Sequence, residues 1–91
     1  MPTISWFYGI SIRMFFSDHS PPHFHAVYGD EEALIAIDTA DVIKGSLPPR
    51  AMRLVRDWAL MYRDDLRANW KRAEARPRQP LEKIPGLDTQ I

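Results

Sequence analysis

Apolar residues alternate with period two through the first 40 or so residues and recur every three or four after Pro48-Pro49. No single regular element serves both periods, so this change constrains the fold more than any other feature. Ile10, Ile12, Met14 and Phe16 alternate with Ser11, Arg13 and Phe15, the pattern of a strand with one buried face. Pro21 and Pro22 remove ladder donors and fix φ, so that strand cannot pass Asp18. His23 to Tyr28 reads as a second strand, with Phe24, Ala26 and Tyr28 on one face and His23, His25 and Val27 on the other. "GDEE" is a turn signal. Ala33 to Asp38 is apolar on both faces and is expected to be a central strand. A short fourth strand, Val42 to Lys44, closes at Gly45. The connections are short, which predicts an antiparallel meander.

After Gly45, Pro48 and Pro49 fit the first turn of a helix and no later position in one. Ala51, Leu54, Val55, Trp58, Met61, Tyr62, Leu66 and Trp70 then form an apolar stripe at helical spacing, stopped by Pro77. Trp58 and Trp70 read as core or as an oligomer interface, such as that of a homodimer. The proline-rich end, "RPRQPLEKIPGLDTQI", suits an extended strap docked through Leu81, Ile84 and Leu87. The expected fold is α+β. A small antiparallel β-meander of three or four strands packs on one long C-terminal amphipathic helix, followed by an extended tail. Ninety-one residues suit a single domain, residues 1–91, with the meander over 1–45, the helix over 48–75 and the tail over 76–91.

Composition narrows function by exclusion. There is no cysteine, so disulfide frameworks and thiolate metal sites are out. No apolar run approaches the roughly 20 residues that span a bilayer. The N-terminal residues lack the pattern of a secretory signal, and a cytoplasmic protein with no membrane association is expected. Net charge is zero, but residues 1–41 hold one base against six acids, and residues 44–78 hold ten bases against four acids. That asymmetry suits either attraction between the halves or an acidic partner such as RNA.

All three histidines fall in "DHSPPHFH", residues 18–25. Period-two geometry puts His23 and His25 on one side of a strand, roughly 6.5–7 Å apart at Cα. Three readings follow. His19, His23 and His25, with Asp18 or Asp38 as a fourth ligand, could hold Zn²⁺ or another divalent metal. Alternatively, with no cofactor, a pair of imidazoles supplies acid and base for RNA cleavage. Arg13, Lys44, Arg50 or Arg53 would then bind phosphate through a planar fork or an ammonium. In the third reading the imidazoles cap turns and pack against aromatic neighbours. Ser17 and Ser20 flank His19 with nothing to orient a triad, and Gly45 alone makes no phosphate loop. Trp6-Phe7-Tyr8 reads as an aromatic lock on the sheet edge or, if exposed, as the mark of a partner site.

"MPTISWFYGISIRMFFSDHSPPHFHAVYGDEEALI" resembles the start of the bacterial domain-of-unknown-function family 4160. Members open Met-Pro-Thr-Ile-Ser-x-Phe-Tyr-Gly-Ile and continue through Asp/Glu-His-x-Pro-Pro-His-Phe-His-Ala-x-Tyr. The resemblance extends through "VIKGSLPPRAMRLVRDW", "NW" and "PLEKIPGL", with Trp6 departing from the smaller or basic residue typical there. Asp18, His19, Pro21, Pro22, His23, Phe24 and His25 match the signature. The family carries no established activity. The resemblance implies one half of a two-gene, toxin–antitoxin-type module, whose small antitoxin-like partner belongs to the domain-of-unknown-function family 2442. The expected role is a toxin-like component that either acts on RNA, in its catalytic version as a metal-independent endoribonuclease, or blocks an RNA-handling machine, with His19, His23 and His25 doing acid/base catalysis or binding the substrate. The alternative is a non-catalytic protein-interaction or divalent-metal-binding module.

Overall fold

The computed structural model describes residues 2–89. Five strands form one antiparallel sheet in the order β1-β2-β3-β4-β5: β1 Thr3–Phe7, β2 Ile10–Arg13, β3 His23–Tyr28, β4 Glu31–Ala36 and β5 Val42–Gly45. Two helices follow, α1 Pro49–Met61 and α2 Arg63–Glu74, then an extended segment ending in a 3-10 turn at Leu87–Thr89. The α+β class and the meander are as expected, and two details are corrected.

The first correction is a fifth strand, β1, where an aromatic lock was expected. Its hairpin turns through Tyr8 and Gly9 with φ of 49° and 79°. Positive φ at both central positions is the turn that matches strand twist, although tyrosine is not its usual first residue. Phe7 enters the core and Trp6 and Tyr8 stay exposed. The second correction is that the single long helix is two. Tyr62 (φ −111°, ψ 30°) leaves helical geometry, while its N–H still donates to the Trp58 carbonyl at 3.0 Å. Buried Ala51, Val55, Trp58, Leu66, Trp70 and Ala73 keep helical spacing through that break, so the stripe itself carries no sign of it. β2 also ends at Arg13, short of Phe16, because the chain peels off toward α2, where the Ser17 N–H donates to the Ala73 carbonyl at 3.2 Å.

The core lies between one face of the sheet and the helices. Trp58 anchors it, 5.3 Å from the Phe7 ring and 5.8 Å from Phe24, edge-on to the latter. Full burial of side chains this size contributes about 1.5–3 kcal/mol each. The tail docks as a strap along β1: Ile84 is buried, its N–H donates to the Ile4 carbonyl at 2.8 Å, and Trp58 Nε1–H donates to the Pro85 carbonyl at 2.8 Å. Asn69 holds the same strap by bonds to both the N–H and the carbonyl of Glu82. Arg67 pairs with Asp38 at 2.8 Å and Arg56 lies 3.9 Å from Asp41, so part of the charge asymmetry is answered within the fold. Among the described residues no helix is long and apolar enough to cross a membrane.

Candidate functional site

The site stands on the side of β3 away from Phe24 and Ala26, at the end of the sheet where α2 brings Trp70 against His23. Strand alternation sends Phe24 and Ala26 into the core and His23 and His25 to the other side, as their parity predicts. Pairing fixes the surroundings: His25 lies opposite Arg13 on β2 and Leu34 on β4. The loop before β3 is tied at both ends. Arg76 Nη1 donates to Ser17 Oγ at 2.9 Å, and the Ile37 N–H donates to the Pro22 carbonyl at 3.0 Å. That anchoring brings Asp18 over the two imidazoles.

Asp18 Oδ2 lies 3.0 Å from His23 Nε2 and 3.3 Å from His25 Nε2. The three potential ligand atoms all fall within 4.8 Å of one another. The far side of each ring also meets an acceptor. His23 Nδ1–H donates to the Pro21 carbonyl and His25 Nδ1–H to Glu32 Oε2, both at 2.8 Å. A carbonyl and a carboxylate accept only, so both Nδ1 atoms carry the proton. Each Nε2 then either carries a second proton and donates to Asp18, the ring being an imidazolium, or, in a neutral ring, turns a lone pair toward the carboxylate and is repelled by it. Either an added proton on each Nε2 or a cation between the three groups removes that repulsion.

Packing fixes the rings. His23 is buried against Trp70, with ring centroids 5.3 Å apart, and Phe15 meets His25 edge-on at 4.4 Å. Burial raises the Asp18 pKa. The His19 N–H bond, the bond from His25 and the positive charges of His23 and His25 lower it by more, and the net direction is down. Asp18 is therefore an ionised, acceptor-only group at neutral pH.

The other expected residues are placed differently. His19 is not gathered with the other two histidines: it is exposed, outside the Asp18–His23–His25 group, and its backbone N–H donates to Asp18 at 2.8 Å. Asp38, the alternative fourth ligand, pairs with Arg67. Arg13 stands beside His25, its Nε–H donating to Ser11 Oγ at 3.1 Å. Arg50 lines a cleft of about 480 Å³ with Tyr8 and Tyr28, at the far end of β3, and Arg53 lines a separate surface depression with Asp57 and Leu60. Neither lines the histidine site.

Glu32 is the site residue that the sequence reading passed over, as part of a turn signal. It was legible. The two-residue Gly29-Asp30 loop sets Val27 opposite Glu32 and His25 opposite Leu34, which puts Glu32 diagonal to His25 on the same face. Gly45 supports that position at φ 81°, where any Cβ would run into the Glu32 carbonyl oxygen.

A family model described as Domain of unknown function (DUF4160) matches residues 9–71, which include the whole site. No curated protein and no solved structure matches the chain.

Proposed function

Since the chain belongs to the DUF4160 family, whose description assigns no activity, we propose a function from the site itself: a metal-binding domain in which Asp18, His23 and His25 hold one divalent cation. The observation that carries this reading is the double satisfaction of each ring. Nδ1 of both histidines is committed to an acceptor, and both Nε2 atoms converge with a carboxylate oxygen. Metal-binding imidazoles characteristically donate their other N–H to a carbonyl or carboxylate, which fixes tautomer and orientation; Pro21 and Glu32 supply those acceptors. Two imidazoles and one carboxylate suit Zn²⁺ or Fe²⁺ and leave positions open for water and substrate. A hydrolytic role follows from that open site.

The second reading, a toxin-like RNA-cleaving component using His23 and His25 as acid and base, rests on the same convergence of two imidazoles beside Arg13. It has less support: Asp18 faces both Nε2 atoms, and Arg50 and Arg53 line other parts of the surface. Elemental analysis and calorimetric titration of the untagged chain separate the two. One zinc, iron or manganese per chain, lost in His23→Ala, is the expected result. No stoichiometric uptake of any of the three metals would remove the metal reading.

A further inference from the structure

The sheet register lines up four residues across the site face. Arg13 pairs with His25, His25 with Leu34, and Leu34 with Lys44, so all four share one row on one side. Neighbouring strands lie about 4.8 Å apart, which puts the Arg13 Cα roughly 5 Å to one side of His25 and the Lys44 Cα roughly 10 Å to the other. Two cationic side chains therefore flank the histidine that belongs to the metal group. Arg13 is half-buried and steadied by Ser11 Oγ, whereas Lys44 is exposed and free to swing. No other lysine or arginine lies on β2 to β5.

Charge decides when this row attracts an anion. With neutral imidazoles, the carboxylates of Asp18 and Glu32 offset the charges of Arg13 and Lys44. A divalent cation on Asp18, His23 and His25 leaves two positive charges in excess, on groups that are partly shielded from water. An anion that meets the metal and the row together needs oxygens pointing in several directions. A tetrahedral phosphate offers that: its terminal oxygens, three in a monoester and two in a diester, leave phosphorus in different directions, so that the metal, Arg13 and a mobile ammonium can each approach from their own side. A carboxylate holds both oxygens in one plane on one side of its carbon and meets the three less well.

We propose that this face binds a phosphate ester once the metal is in place, with Arg13 and Lys44 holding the phosphate beside His25. The inference rests on the metal reading above. The test is calorimetric titration of phenyl phosphate (a monoester) and of a dinucleotide (a diester) into the chain. Each is run metal-free and with one equivalent of zinc, with acetate as the carboxylate control. At least one phosphate ester should bind the zinc-loaded chain about tenfold tighter or more than the metal-free chain, the scale of one charge-assisted contact. Whichever ester binds tighter identifies the source of the phosphate. Arg13→Gln and Lys44→Gln should each weaken it by about fivefold to tenfold with zinc affinity unchanged. Lys44 is exposed, so its variant decides the matter if Arg13→Gln fails to fold. Normal zinc uptake with ester binding indifferent to both substitutions, or acetate binding as tightly as the esters, overturns the phosphate assignment alone. Failure to take up zinc overturns both this inference and the metal reading.

Discussion

Phe24 and His25 are chain neighbours on opposite faces of β3, and their surroundings follow different rules. Phe24 is fully buried and meets Trp58 edge-on, in a layer where shape and volume decide the energy. His25 sits among Asp18, Glu32, Phe15 and Arg13, where bond direction and charge decide it. The first face contributes most of the stability. The second gathers carboxylates and imidazoles in a partly buried place, where protons or a cation on the ring nitrogens complete the pairing. Substitutions on one face should therefore change folding and leave ligand affinity alone, and substitutions on the other should do the reverse.

The largest separation is expected from Trp58→Ala. It removes a ring packed on Phe7 and Phe24 and the indole bond to Pro85. Unfolding free energy from denaturant melts should fall by about 3–5 kcal/mol, while the fraction still folded binds zinc as the wild type does. An equal loss of zinc affinity would mean that the faces are not independent. Next comes His25→Ala, for which titration should show zinc affinity down by about a hundredfold or more, beyond the loss from an outer-shell partner. His19→Ala, at an exposed position, should change nothing. Glu32→Gln keeps the shape and weakens the acceptor for His25 Nδ1–H. A loss of about tenfold to a hundredfold in zinc affinity is expected, and an unchanged affinity would remove Glu32 from the site.

The smallest effect concerns folding on the polar face. Asp18 has a folded-state pKa below its usual 3.8. A lowered folded-state value stabilises the chain above the unfolded value, and that contribution is lost as pH falls through the folded one. Metal-free Asp18→Asn should therefore be less stable than wild type at pH 7, with the gap closing below about pH 4. A gap whose size does not change with pH through the acid range would assign the effect to packing.

The same contrast separates what the sequence disclosed from what it concealed. Period-two alternation placed His23 and His25 together and Phe24 away from them, because parity in a strand is local. The two-residue hairpin loop would also have placed Glu32. β1 was concealed because its turn uses Tyr8 where Asn or Asp would have signalled it. The division between α1 and α2 was concealed because the apolar stripe runs through Tyr62 without a glycine or proline. His19 shares the histidine motif, yet its backbone, not its ring, meets Asp18. The approach of Asp18 depends on Ser17 bonding to Ala73 and Arg76, which are distant in the chain and have no local signal.

The central claim is that two particular ring nitrogens converge on one cation. Long-range ¹H–¹⁵N correlation spectra of the three imidazoles, recorded before and after one equivalent of zinc, test it directly. The account predicts that Nε2 of His23 and of His25 both shift on zinc addition, with both rings protonated at Nδ1 in the zinc form, while His19 stays where it was. Unmoved Nε2 signals from His23 and His25, or a response confined to His19, would contradict it.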